Sequence, residues 1–270
     1  MAKRLDDSVF ESLDRRGYAI VRQYLPEGQR AEMAAALRRV LKPWDRVKDD
    51  PPAGRSEACH FPYPEDCLNR AILDDEAIAF ARRWLNTEDI HYRPGLGLVT
   101  YPGRQGMGMH QDNGNNSLLP PGNDLRHAQL NFWFCLEDVD ADQGPTLFAA
   151  DGDGPGGDRV EPMVAPGGSL AVFHNYTWHA AAPYRRKDGQ RYIWKFAYGR
   201  ADHYWEGVLH YTHVGRDPHF CRFIAGLSAR ERQYFRFPPP GHPYYTPQTL
   251  AALEEQYPGW NRRGEYGNQH

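Results

Sequence analysis

His110 and Asp112 stand two residues apart, and a second histidine, His179, follows far downstream behind Thr177 and Trp178. On a β-strand, residues i and i+2 point to the same side, so an imidazole and a carboxylate at this spacing can grip one ion while a second strand supplies another imidazole. Two imidazoles and one carboxylate on a single face leave the remaining octahedral positions open, which suits non-haem Fe(II) and oxygen chemistry. The triplet by itself is a weak signal, because the chain carries 12 His and such short spacings arise by chance. His174 precedes His179 at the end of an apolar run and is a second candidate for the distal position or for a pocket imidazole.

The segments around these residues read as strands. Residues 127–138 alternate with period two and are rich in aromatics. One face, with Leu130, Phe132, Phe134 and Leu136, calls for a dry packing layer, and the other presents Gln129, Asn131 and Trp133, which could line a cavity. A turn is expected at 142–145, and the Gly167-Gly168 pair opens a short apolar strand over 169–174. Arg191 begins another strand over 191–198. Upstream, the pattern predicts a helix over 8–16 ended by Gly17, a strand over 18–25, an amphipathic helix over 27–41, a polar stretch over 45–61, a helix over 75–85 and a strand over 96–101. Residues 113–124 have loop composition and leave the metal motif, a position from which a loop can close over substrate.

Composition limits the function classes. A net charge of −3 with dispersed basic residues argues against a nucleic-acid protein, and the short cluster Arg185 to Lys187 reads as a solvated turn. No run of about eighteen apolar residues exists, and the N-terminus lacks the apolar core of a signal peptide, so no membrane partner and a cytoplasmic location are expected. The 4 Cys, at 59, 67, 135 and 221, are too sparse to indicate disulfides or a zinc cluster. With no internal repeat or long linker, a single domain over 1–270 is expected: an N-terminal part over 1–90, a core with the metal site over about 91–200, and an extension over 201–270 rich in aromatics and proline.

At several separated places the chain resembles the phytanoyl-CoA dioxygenase family of Fe(II)/2-oxoglutarate oxygenases. The resemblance runs through residues 13–25, the helix after them, the His110/Asp112 motif, residues 130–139 closing at Gly144-Pro145, residues 166–173, and Trp178-His179. It implies a double-stranded β-helix, a jelly-roll barrel of cupin-like form with flanking helices. It also implies Fe(II) ligation by His110, Asp112 and His179 rather than His174. Arg191 would meet the distal carboxylate of 2-oxoglutarate, with Gln111 and Trp133 as further cosubstrate contacts. The physics of a planar guanidinium supports the arginine, since it can hold a carboxylate through two parallel charge-assisted hydrogen bonds. Arg185, Arg186, Lys187 and Lys195 are its rivals.

The expected reaction uses O2 to hydroxylate a C–H bond of a small molecule, with succinate and CO2 released; retention of Asp112 argues against halogenation. Two departures from the family bear on cosubstrate contacts. Phe148 to Gly152 replaces a Pro-Gly-Ser-His segment, and Ala181 stands where relatives often carry a hydroxyl. Two rival readings are a non-catalytic jelly-roll binding module and a zinc hydrolase, both of which leave Arg191 without a purpose.

Overall fold

In the computed structural model, residues 4–112, 129–150, 154, 159–201 and 216–266 are described. The elements run α1 (Asp7–Arg16), β1 (Tyr18–Val21), α2 (Glu27–Val40), β2 (Ser56–His60), α3 (Asp66–Ala71), α4 (Asp75–Leu85), β3 (Ile90–Thr100) and β4 (Leu130–Cys135). They continue with β5 (Thr146–Ala149), β6 (Val160–Pro162), β7 (Leu170–His174), β8 (His179–Ala181), β9 (Arg191–Arg200), α5 (Pro218–Gly226), α6 (Ala229–Gln233) and α7 (Pro247–Gln256). The expected closing loop at 113–124 lies outside the described residues.

Two antiparallel sheets face each other. The larger has the order β1-β7-β4-β9-β3-β2 and the smaller β6-β5-β8. Among the described residues they are not hydrogen-bonded into one closed barrel, but the arrangement is that of the double-stranded β-helix class. Period-two alternation sorts the large sheet into two faces. The outer face carries Leu130, Phe132, Phe134, Leu170, Val172, Tyr192, Trp194, Phe196 and Tyr198, all buried in one core with the helices. A second, smaller cluster lies between the sheets and joins Tyr18, Cys135, Phe148, Ala171 and Phe173.

The helices form where capping and apolar spacing agree. At α1, the Asp6 side chain caps the N-terminus and Gly17, at φ 78°, ends the helix in the left-handed conformation. At α4, Asp74 caps one end, Asn86 closes the other in αL, and Ile78, Ala81, Trp84 and Leu85 face the sheet core. The C-terminal helices back the outer face as well: Phe235 stacks on Phe61 at 5.7 Å, and the Tyr92 amide donates to the Tyr234 carbonyl. No described helix is long and apolar enough to cross a membrane.

Some expected elements are redrawn. β1 stops at Val21 rather than 25, because Gln23 takes a positive φ of 50° and the chain turns so that the Leu25 amide reaches the Gly168 carbonyl. The polar stretch 45–61 contains β2, paired with β3 over its whole length. β3 itself begins at Ile90, well before 96, and accommodates Pro94 and Gly95 as an irregularity between Arg93 and Leu96. A Pro inside a run argues against a regular strand, and the bulge is how the chain admits it. At Gly95 a Cβ would fall 1.9 Å from the Lys195 carbonyl oxygen, so the strand can pass there only without a side chain.

Candidate metal centre

The two histidines meet through the backbone. His110 and His179 are an antiparallel hydrogen-bonded pair, each amide donating to the other's carbonyl at 2.9 Å. This bridge adds the His110 strand to the free side of β8, and cross-strand neighbours carry side chains on the same face. The two rings are accordingly 4.4 Å apart between centroids. Asp112, two residues on, completes the set: one ligand atom from each of His110, Asp112 and His179 lies within 4.8 Å of the others. Among the described residues no other His, Cys, Asp and Glu group has this form.

The hydrogen bonds around the trio suit a cation. His110 Nδ1 lies 3.0 Å from the Gly108 carbonyl, and His179 Nδ1 lies 3.0 Å from the Thr177 carbonyl. A carbonyl can only accept, so each Nδ1 carries the proton and each Nε2 keeps its lone pair for a ligand. Among the described residues His179 Nε2 is buried without a hydrogen-bond partner, 3.8 Å from Asp112 Oδ1. Burial pushes the His179 imidazole below its ordinary pKa, with Asp112 opposing the shift, which favours the neutral form that binds metals. The Asn131 amide donates to Asp112 Oδ2 at 3.2 Å and accepts from the Gln129 amide at 3.0 Å. Trp133 and Phe173 wall His179 with ring centroids 5.4 and 4.9 Å away.

Arg191 opens β9 on the inner face, opposite Thr100. It is 3% exposed. Its Nη2 has a long contact of 3.5 Å to Thr100 Oγ1, and its Nε and Nη1 have no partner among the described residues. Burial pushes its pKa down to about 10, so it remains cationic near neutrality. A buried guanidinium with empty donors is costly unless an anion completes it, and a carboxylate fits that need in charge and geometry. The donor set and the orphaned Nε2 fit a divalent metal, and the orphaned guanidinium fits a carboxylate-bearing cosubstrate.

The remaining expected residues fall in several places. Gln129 and Asn131 sit behind Asp112 as its hydrogen-bond support. Trp133 stands beside His179. The Gln111 amide donates to the Tyr176 carbonyl in the turn between β7 and β8. His174 is a correction to the pocket expectation: it faces the helical layer, pairs in register with Leu130 of the outer face and stacks on Trp84 at 6.4 Å. Side chains alternate along β7, so His174 and its inward neighbour Phe173 take opposite sides. Lys195, in sequence only a rival to Arg191, lies on the inner face of β9 beside Trp133, with its Nζ 3.9 Å from the ring centroid. Its even spacing from Arg191 on a strand was the available signal. Burial lowers its pKa, and Asp112 opposes that shift.

A separate surface recess of about 590 Å³, lined by Arg22, Asp138, Asp140, Gln143 and Arg186 among others, contains none of these residues. Its Arg186 and Asp140 side chains pair at 2.9 Å.

Comparison with solved structures agrees with the fold. The non-haem α-ketoglutarate-dependent carbocyclase SnoK from nogalamycin biosynthesis matches with a TM-score of 0.60 and 17% identity, over 78% of this chain and 90% of its own. HygX from Streptomyces hygroscopicus, solved with nickel, 2-oxoglutarate and hygromycin B, matches at 0.58 and 17%, over 73% and 88%. The non-haem α-ketoglutarate-dependent epimerase SnoN, also from nogalamycin biosynthesis, matches at 0.57 and 17%, over 72% and 82%. No curated protein matches the sequence. The family model described as phytanoyl-CoA dioxygenase matches residues 13–191, which contain the paired histidines, the aspartate and the orphaned guanidinium, and the chain belongs to that family of Fe(II)- and 2-oxoglutarate-dependent enzymes.

Proposed function

We propose that this protein is an Fe(II)/2-oxoglutarate-dependent dioxygenase that hydroxylates a C–H bond of a small molecule. His110, Asp112 and His179 would hold the iron, and Arg191 would hold the distal carboxylate of the cosubstrate. When bound, iron, 2-oxoglutarate and O2 together supply an oxidant able to cleave a C–H bond, with succinate and CO2 as co-products. The chain's own residues do the positioning. The carbonyls of Gly108 and Thr177 fix both imidazole tautomers, Asn131 orients the Asp112 carboxylate, and Trp133 with Phe173 excludes water from one side of His179. The reading takes residues 1–270 as one domain, with the C-terminal helices as backing for the large sheet.

The observation that carries the proposal is the presence, with an open-faced His/Asp/His trio, of a buried guanidinium on the facing sheet whose Nε and Nη1 have no partner among the described residues. A zinc hydrolase has no use for that guanidinium, and neither does a binding module with an incidental His-x-Asp. Anaerobic titration of the protein with Fe(II) and then 2-oxoglutarate tests it. A weak visible metal-to-ligand charge-transfer band is expected, and bound iron without the band would sink the reading.

The outcome of C–H cleavage is a separate matter, because similar structures include an enzyme titled epimerase and another titled carbocyclase. Hydroxylation predicts that one atom of 18O2 enters the product and the other enters succinate. Labelled succinate with unlabelled product would replace hydroxylation by epimerisation, desaturation or ring closure.

A further inference from the structure

Two cations, Arg191 and Lys195, project from the same face of β9, four residues and therefore about 13 Å apart along the strand. The inward assignment of both follows from register: Arg191 pairs with Thr100 of β3, and Lys195 pairs with Trp133 of β4. Lys195 is neither fully exposed nor fully buried. Its ammonium rests on the Trp133 ring, and that ring meets His179 edge-on. Among the described residues Lys195 has no ion-pair or hydrogen-bond partner, although Asp112 is near enough to influence it electrostatically. The face continues past Lys195 with Arg93, whose Nε would lie 2.2 Å from a Cβ at Gly199; the strand leaves that side chain missing where the guanidinium crosses it.

We infer that Lys195 anchors an anionic group, a carboxylate or a comparable oxyanion, on the primary substrate and so selects acids over their neutral counterparts. This rests on the oxygenase reading above. A 2-oxoglutarate molecule has one distal carboxylate, and Arg191 already provides a planar, fully buried partner for it. Charge balance points the same way. A divalent iron, one aspartate, one dianionic cosubstrate and one guanidinium sum to zero, which leaves the ammonium of Lys195 as an uncompensated charge facing the interior. An ammonium held by a ring on one side and partly shielded from solvent takes an anion on its open side more strongly than a neutral group. Lys195 is thus a specificity residue at the level of the metal, and Arg191 serves the cosubstrate farther along the strand.

The test uses the anaerobic Fe(II)·2-oxoglutarate protein and its charge-transfer band, with phenylacetate and hexanoate as probes and phenylacetamide and hexanamide as uncharged partners. The carboxylates are expected to perturb the band in a saturable way and the amides to do so at least tenfold more weakly. Lys195→Met keeps the length and packing of the side chain; it should erase that preference while changing the half-saturation for 2-oxoglutarate less than twofold. Lys195→Arg should restore the preference. Equal binding of acid and amide to the unsubstituted protein, no perturbation by either acid, or an acid preference that survives Lys195→Met would overturn the inference. So would a Lys195→Met protein that loses 2-oxoglutarate affinity as severely as Arg191→Met, since Lys195 would then belong to the cosubstrate. A missing charge-transfer band in the unsubstituted protein is the distinguishable failure of the oxygenase reading itself, and the inference falls with it.

Discussion

The two faces of β9 differ in kind. Outward, Tyr192, Trp194, Phe196 and Tyr198 are buried among aromatic neighbours: Phe196 stacks on Phe132 at 5.2 Å, and the Tyr192 and Tyr198 hydroxyls donate to the Leu41 and Ile72 carbonyls. Inward, Arg191 is equally buried but keeps two donors without partners among the described residues, and Lys195 rests on a tryptophan. The outer side fills its volume and satisfies its tyrosine hydroxyls, as a stable core does, and leaves there only the neutral Trp194 indole N–H without a partner among the described residues. The other leaves donors of a charged group incomplete, and such sites mark where a ligand is to supply the missing contacts. Stability and chemistry are therefore separated by alternation along a single strand.

Substitutions on each face should separate in the same way. His179→Ala should give the largest effect, a complete loss of the charge-transfer band and of succinate formation in a protein whose far-UV circular dichroism is unchanged; retained iron binding at full stoichiometry would contradict the assignment of the trio. Phe196→Ala, on the outer face, should cost about 3–5 kcal/mol of stability by leaving a cavity. Denaturant unfolding would show this, with the folded fraction still binding iron one to one.

Arg191→Met should weaken 2-oxoglutarate binding by about 10- to 100-fold, the scale of a charge-assisted carboxylate pair. Its unfolding midpoint without ligands should hold steady or rise, because an unpartnered buried charge has been replaced by an apolar chain of similar length. A loss of stability like that of Phe196→Ala would erase the distinction between the faces. Asn131→Ala should have the mildest consequence, lowering iron affinity by about 10-fold or somewhat more, as removal of a hydrogen bond behind a metal ligand does. Competition with a chromophoric chelator measures it, and an unchanged affinity would show that Asp112 is oriented without the amide.

Much of the framework could be read without coordinates, for identifiable reasons. β4 is long enough for period two to show, the Gly167-Gly168 turn and the apolar run after it mark β7, α4 carries its apolar stripe at helical spacing, and His110 and Asp112 stand at a ligand spacing that gains weight from the segments around it. Short or interrupted elements were harder. β8 has three residues, β2 lies in a polar and proline-bearing stretch, and β3 is broken at Pro94 and Gly95 by a bulge that only its partner strand explains. Composition marks the extension over 201–270 only as rich in aromatics and proline, which does not say where it packs. In the fold, its Phe220, Phe223 and Phe235 close around Phe61 behind the large sheet.

Local order alone determined which side chains were chemically capable, because residue type and the two-residue repeat of a strand are properties of the chain itself. It also determined that an apolar face had to exist on β4. Only the tertiary structure decided that His110 lies opposite His179, that His174 turns to the helices while Phe173 turns to the metal trio, and that Lys195 stands beside Trp133. Those facts depend on which strands pair and in what register, and register is set by how distant segments bury their apolar faces together, a condition that no single segment contains.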